Sequence, residues 1–130
     1  MKHCILVVED NQLNRELLCD WLEVEGYEVR SAADLKASYE VFAKRLPDAV
    51  LLDINLGAEN GLDLVEWMRQ KPELGEIPVI AVTAHALVAE QERILHAGCT
   101  ACLSKPINFQ GLREQLNRSL QDRTVSRPNS

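Results

Sequence analysis

Residues 4–10 read CILVVED, an apolar run of strand length that ends in two adjacent acids. Three further apolar runs end in polar residues in the same way: AVLL (49–52) before Asp53, VIAV (79–82) before Thr83, and ACL (101–103) before Ser104-Lys105-Pro106. In an open parallel sheet, residues just beyond the carboxyl ends of the strands converge on one crevice. We therefore expect one phosphate-handling site, in which acids hold a divalent cation while Thr83 and Lys105 contact phosphoryl oxygens.

Helical patterns separate these apolar runs. Leucines 13, 17 and 18 share a helical face after the first strand, with Asp10 or Asn11 as the cap and Gly26 as the stop. Residues 27–30 alternate apolar and polar, which is typical of a strand with one solvated side. Alternating strands and helices predict an α/β fold, a parallel sheet with helices on both faces.

The polarity of the strands predicts their order. Runs 4–8, 49–52 and 79–82 are apolar throughout and suit the centre of a sheet, whereas 27–30 and 101–103 suit its edges. We therefore predict a flavodoxin-like (βα)5 fold, a doubly wound five-stranded parallel sheet in the order 2-1-3-4-5. Its crevice opens beside strands 1 and 3.

Size and composition limit the classes of function. The 130 residues suit one domain, which we assign to residues 1–122 with a flexible C-terminal tail at 123–130. The net charge of -6 leaves no basic footprint for nucleic acid. We find no signal peptide, and no apolar run approaches the ~18 residues of a membrane helix. We therefore expect a cytoplasmic protein without membrane contact, whose four cysteines are reduced.

Asp53 follows a buried apolar run. An aspartate there commonly caps a helix or a turn, but the segment 54–61 is too long for Asp53 to cap the next helix, which is predicted to begin near Gly61. We therefore expect its carboxylate to face the crevice as a nucleophile that forms an acyl phosphate. Mg²⁺ would offset the repulsion between this carboxylate and an incoming phosphoryl group.

The other polar residues each have an ordinary explanation as well. Glu9 and Asp10 suit a helix start, but beside Asp53 they would repel strongly without a cation such as Mg²⁺. Thr83 is either a plain β-branched strand residue or a hydroxyl that bonds a phosphoryl oxygen. Pro106 restricts the backbone of Lys105 to extended conformations, and the sequence leaves open whether their peptide bond is cis.

Cys99 and Cys102 form a CxxC pair. A redox role requires the first cysteine at a helix start, where the thiolate is stabilised, but this pair lies between a predicted helix end and a strand. Zinc would need further ligands, and His96 is the near candidate in sequence. We therefore interpret both residues as small buried thiols.

The site residues together resemble the response regulator receiver domains of two-component systems. The matching positions are Glu9-Asp10, Asp53, Thr83-Ala84 and Lys105-Pro106, and the resemblance covers residues 3–121. The stretches VVEDNQLNRELL (7–18), PVIAVTAHA (78–86) and LSKPIN (103–108) are most similar to single-domain regulators of the DivK type and to receivers of hybrid histidine kinases.

The resemblance implies a role for each residue. Asp53 accepts a phosphoryl group from a phosphohistidine of a histidine kinase or histidine phosphotransfer protein. Asp10, Asp53 and the backbone carbonyl of Asn55 bind Mg²⁺, and Glu9 acts through water. Thr83 and Lys105 contact the phosphoryl group, while the small Ala84 leaves access to it. The protein is then a phosphoacceptor rather than an ordinary enzyme, and it signals to a downstream protein effector through the face formed by helix 4, strand 5 and helix 5.

Two positions depart from the family pattern. Gly57 stands where a proline is frequent, which predicts a looser loop, and Cys102 stands where an aromatic switch residue is usual. The resemblance also implies that Asn55 and His85 occupy the positions that orient water for hydrolysis, and the bulk of His85 predicts a long-lived acyl phosphate.

Two alternatives stay open. One is a receiver excised from a hybrid histidine kinase. The other is an Mg²⁺-dependent phosphohydrolase of the haloacid dehalogenase type. That family carries a second acid two residues past its nucleophile, where this chain has Asn55.

Overall fold

The structure is a computed structural model that describes residues 2–85 and 87–125. Strands and helices alternate along these residues as follows: β1 Cys4–Val8, α1 Gln12–Val24, β2 Glu28–Ala32, α2 Leu35–Lys44, β3 Ala49–Asp53, β4 Asn55–Leu56, β5 Glu59–Asn60, α3 Leu62–Arg69, β6 Val79–Thr83, α4 Val88–His96, β7 Ala101–Ser104 and α5 Phe109–Val125.

Five of the strands form one parallel sheet in the order β2-β1-β3-β6-β7. This confirms the predicted order 2-1-3-4-5, because β4 and β5 pair only with each other as a short antiparallel hairpin. Every residue of β1, β3 and β6 is buried, as expected for central strands covered on both faces.

The helices divide the core into two layers. Alternate residues of β1 point to opposite faces, so that Leu6 packs with α2, α3 and α4 while Ile5 packs with α1 and α5. The last residues of β1, β3 and β6 therefore end at the same edge of a rigid sheet, and the site is built on that edge.

Side-chain caps explain where several helices begin. The Oδ1 atoms of Asn11, Asp34 and Asn108 accept hydrogen bonds from the first turns of α1, α2 and α5. Helix α1 ends before Gly26, which has a φ of 99°. No helix in the part of the chain that the structure describes is long and apolar enough to cross a membrane.

Two regions differ from the simplest sequence expectation. Residues 55–60 form the β4–β5 hairpin between Asp53 and α3 rather than an open loop. Helix α5 continues to Val125, past the predicted domain boundary at residue 122. Residues 126–130 of the predicted tail lie outside the described residues.

Candidate functional site

Three carboxylates meet at the carboxyl edge of the sheet. Glu9, Asp10 and Asp53 each offer an oxygen within 4.8 Å of the others, with Glu9 and Asp53 buried and Asp10 exposed. Strands β1 and β3 are neighbours in the sheet, which explains why residues so distant in sequence lie together. The cluster has one side open to solvent, at Asp10.

Asp53 is held at both carboxylate oxygens. The Nζ atom of Lys105 donates to its Oδ2 atom at 2.8 Å, and the backbone N–H of Asn55 donates to its Oδ1 atom at 2.9 Å. Lys105 follows β7, and its peptide bond to Pro106 is cis. Burial lowers the pKa of Lys105, but the hydrogen bond and charge of Asp53 outweigh burial and leave this pKa raised. Lys105 is therefore a firmly charged partner for Asp53.

Glu9 is fixed by its own loop. Its backbone N–H donates to the carbonyl of Ala32 at 3.0 Å, and its Oε2 atom accepts from the backbone N–H of Asn11 at 3.0 Å. Burial, together with the neighbouring Asp53, raises the pKa of Glu9 to about 7 even though the Asn11 hydrogen bond opposes the shift. The raised pKa therefore reflects chiefly the burial of the Glu9 carboxylate, with a smaller contribution from the nearby Asp53.

Thr83 ends β6 and is buried, one residue past the position that pairs with Asp53. Its Oγ1 atom accepts the backbone N–H of His85 at 3.0 Å, which leaves its own O–H free to donate to a ligand oxygen. Ala84 and His85 are exposed above it. The backbone N–H of Lys105 donates to the carbonyl of Thr83 at 2.9 Å. The two residues that carry the hydroxyl and the ammonium are therefore joined by a backbone hydrogen bond.

Sequence reasoning missed residues that shape the site through the backbone. The Arg15 guanidinium donates to the carbonyls of Glu9 and Asp10. Gly61 lies so close to β3 that an added Cβ would be 2.7 Å from the carbonyl oxygen of Asp53. The only sequence signals were an arginine after two acids and a glycine before a helix, and both are too common to identify a site.

Gly57 is the turn residue of the β4–β5 hairpin. Its φ of 61° lies in the left-handed region, which a proline ring cannot enter. An added Cβ would be 3.6 Å from Oδ2 of Asp10, so the turn also borders the acidic cluster. Gly57, which stands where the family frequently has a proline, therefore forms a turn of defined conformation.

The two cysteines of the CxxC pair lie away from the acidic cluster. Cys99 is buried, and burial raises the pKa of its thiol to about 12. Cys102 is half-buried on β7, and burial also raises its pKa. Among the described residues, no third metal-ligating side chain joins them. Protonated thiols without further ligands are poor redox or zinc groups, which agrees with a packing role.

A doubly wound parallel sheet with acids, threonine and lysine at its carboxyl edge defines a receiver-like α/β domain. The family model described as response regulator receiver domain matches residues 5–117. The polar-differentiation response regulator DivK of Brucella ovis is 40% identical over 123 residues, which are 94% of this chain and 99% of that protein. The chain belongs to the response regulator receiver family.

Solved structures agree with this assignment. A CheY-like response regulator receiver domain protein from Methanospirillum hungatei superposes with a TM-score of 0.87 at 27% identity, over 97% of this chain and 99% of that one. The receiver domain of a signal transduction histidine kinase from Syntrophus aciditrophicus gives 0.84 at 27% identity, over 92% and 91%. The chain is thus a two-component signalling protein of the phosphorelay type rather than an ordinary enzyme. Receivers of this family interact with histidine kinases or phosphotransfer proteins and with effectors.

Proposed function

We propose that this chain is a single-domain response regulator in which Asp53 accepts a phosphoryl group from a phosphohistidine. The observation that carries the proposal is the setting of Asp53, a buried carboxylate with Lys105 Nζ at 2.8 Å on one oxygen and the Asn55 N–H at 2.9 Å on the other. A buried acid oriented in this way is preorganised as a nucleophile. Similarity across 99% of the DivK relative is the reason that we propose the single-domain form.

The donor set fits Mg²⁺. Glu9, Asp10 and Asp53 supply hard carboxylate oxygens within 4.8 Å of one another, and exposed Asp10 leaves room for the waters that Mg²⁺ retains. Asp10, Asp53 and the Asn55 carbonyl would hold the ion, with Glu9 acting through water. When bound, Mg²⁺ supplies positive charge that offsets repulsion between Asp53 and the phosphoryl group.

Three side chains would receive the phosphoryl group on Asp53. Lys105 is held at Asp53 before the reaction and would turn to a phosphoryl oxygen once the carboxylate becomes an acyl phosphate. The O–H of Thr83 has a free donor direction and would bond a second oxygen. The methyl group of Ala84 is exposed and leaves the approach open.

A groove beside the site suits the phosphodonor. It has a volume of about 470 Å³ and lies between α1 and the start of α5, with Leu17, Ile107 and Phe109 among its apolar lining residues. Glu9 and Lys105 also line it, so the groove is continuous with the phosphoacceptor. We therefore assign it to the histidine kinase or histidine phosphotransfer protein, which must cover this surface to bring its histidine to Asp53.

The output face is assigned to α4, β7 and α5. Helix α4 buries only Ile94 and leaves Val88 and Leu95 exposed, as is Leu87 just before it, so the helix is weakly anchored and presents an apolar surface to a protein effector. Its N-terminal end follows Thr83, whose hydroxyl would respond to the phosphoryl group. Cys102 on β7 leaves space where other receivers carry a ring, so switching would proceed without a ring relocation.

The phosphohydrolase alternative is weaker. The position that would carry the second acid holds Asn55, whose amide cannot donate a proton as a general acid. Absence of turnover of a generic phosphomonoester is the expected result.

The test of the phosphoacceptor is direct. The protein is incubated with acetyl phosphate and Mg²⁺, and the label is located by mass spectrometry. We expect one phosphoryl group on Asp53, none in Asp53→Asn, and normal labelling in Asp63→Asn, which removes an exposed acid of α3 outside the site. Label that persists in Asp53→Asn, or that forms equally well in EDTA, would contradict the proposal.

Two further variants test the surfaces. Leu17→Gln should slow transfer from a phosphorylated histidine protein but not from acetyl phosphate, since only the protein donor needs the groove.

Cys102→Tyr should alter effector affinity without abolishing phosphorylation. Beryllofluoride should change amide exchange within residues 84–104, and unaltered exchange there counts against the switch.

A further inference from the structure

Arg15 lies near the start of α1. Its side chain contacts the loop that carries Glu9 and Asp10 only at that loop's backbone. One guanidinium nitrogen donates to the carbonyl oxygen of Glu9 at 2.8 Å and to that of Asp10 at 3.4 Å. In the described part of the chain, Arg15 forms no ion pair within 4.0 Å with a carboxylate. Its contribution to the loop is therefore directional hydrogen bonding to two peptide groups.

The position of this cation breaks a local rule. The N-terminus of a helix carries partial positive charge, so a cation directed towards it is unfavourable. Helix α1 has no acid in its first turn to offset Arg15. Departures of this kind from local preference are expected where a residue serves a site, and here the residue serves the loop that carries Glu9 and Asp10.

The bonds fix the two peptide groups that direct the acids. Glu9 is held at its backbone N–H by Ala32, at its side chain by the N–H of Asn11, and at its carbonyl by Arg15. Asp10 is exposed, and Arg15 reaches its carbonyl as well. Because a peptide unit is planar, fixing both carbonyls restricts the directions in which the two Cα–Cβ bonds can point.

We propose that Arg15 is a positioning residue for the divalent-cation site, which orients the carboxylates of Glu9 and Asp10 by holding their backbone carbonyls. The inference rests on the proposed function, in which these acids bind Mg²⁺. Arg15 itself touches neither the ion nor the phosphoryl group. It acts on metal affinity and through that on phosphorylation.

Charge and positioning predict opposite effects, which makes the inference testable. Arg15 is a cation near a cation site, so its charge alone disfavours Mg²⁺, and removing that charge would tighten binding. Loss of the hydrogen bonds would instead loosen the loop and weaken binding. Partners that orient metal ligands typically contribute about 10–100-fold to metal affinity, and we expect about 10-fold for Arg15.

The experiment is calorimetric titration of the full-length protein with MgCl₂ alone. Arg15→Gln removes the charge and shortens the side chain, and Arg15→Lys keeps the charge on a side chain that ends short of the guanidinium nitrogen that makes both bonds. Arg118→Gln removes an equal charge from an exposed position on α5. We expect about 10-fold weaker Mg²⁺ binding in both Arg15 variants and wild-type binding in Arg118→Gln. Phosphorylation by acetyl phosphate should recover in both Arg15 variants at saturating Mg²⁺.

The outcomes separate this inference from the function on which it rests. Tighter or unchanged Mg²⁺ binding in Arg15→Gln, with wild-type protein binding normally, overturns the inference alone. Phosphorylation that stays slow at saturating Mg²⁺ also overturns it, since a residue acting on metal affinity would be rescued. Failure of wild-type protein to bind Mg²⁺ overturns the proposed metal use and the inference with it. Arg15→Lys keeps a helix-forming cation at this position and carries the test if Arg15→Gln does not fold.

Discussion

Gly61→Ala should disturb the phosphoacceptor through backbone contact alone. Gly61 precedes α3 with a φ of -58°, which alanine adopts without strain. An added Cβ would lie 2.7 Å from the carbonyl oxygen of Asp53 and 3.0 Å from Cα of Ile54. Both are backbone atoms at the end of β3, so no side-chain rotation can relieve the overlap. Either α3 or the chain after Asp53 must move.

The contact distances set the size of the effect. An extra methyl group in a closely packed position costs about 1–3 kcal/mol, and for a chain of this length each kcal/mol lowers Tm by roughly 4 °C. We therefore expect Tm to fall by about 4–12 °C. A contact at 2.7 Å forces a backbone shift near Asp53, and displacement of a reacting group by about 1 Å can cost 10²-fold in rate. Phosphorylation by acetyl phosphate should slow by at least about 10-fold.

Gly111→Ala is the matched control. Gly111 lies in the first turns of α5, where an added Cβ would make ordinary contacts at 3.8 Å or more with Asn108. Alanine there should raise stability by up to about 1 kcal/mol, because glycine is a poor helix former. Thermal unfolding and the acetyl phosphate rate are measured for both variants. A Gly61→Ala protein that matches wild type in both measurements would refute the steric reasoning.

Three further predictions follow from buried and exposed groups. Arg69 donates hydrogen bonds to the carbonyls of Gly98 and Ile77, among others. Arg69→Met should therefore lower the free energy of unfolding, measured by urea titration, by about 2–4 kcal/mol. A loss below about 1 kcal/mol would contradict this prediction. The raised pKa of Cys99, about 12, keeps its thiol protonated at pH 8. Iodoacetamide should therefore modify Cys99 far more slowly in the native protein than in urea. Equal rates of modification would refute this prediction. His85→Glu should speed loss of phosphate from Asp53 with kinase removed and Mg²⁺ fixed, because a carboxylate holds and polarises water better than this exposed ring. Faster decay in wild type would show that His85 assists water.

The strand order was predictable because a central strand, which is covered on both faces, consists largely of apolar residues. Strands β1, β3 and β6 are buried on both faces, and their sequences are correspondingly apolar up to Asp53, which ends β3, and Thr83, which ends β6. A polar residue after such a run stands out. Parallel strands carry their carboxyl ends to one edge, so the strand-end residues could be grouped into a site before any distance was known.

The β4–β5 hairpin could not be predicted in the same way. Its strands have only two residues each, too few for an alternating pattern. Its register is set by the left-handed turn at Gly57 and by a long-range contact, since Oε1 of Glu59 accepts the backbone N–H of Leu35 at 3.1 Å. The sequence therefore predicts a loop for this segment and a looser backbone at Gly57, whereas the structure has a turn of defined conformation there.

Residues that act through the backbone leave the weakest signal of all. Arg69 donates to the carbonyl of Gly98, 29 residues away, yet every residue has a carbonyl and the sequence marks none of them as an acceptor. The same holds for Arg15 at Glu9, and for Gly61, whose importance depends on a neighbouring strand. The reactive groups are particular types of side chain at strand ends, so the sequence identifies them. The residues that orient those groups are recognised only from distances in the folded structure. The most informative positions to substitute in this receiver are therefore Arg15 and Gly61, neither of which is among the reactive residues at the strand ends.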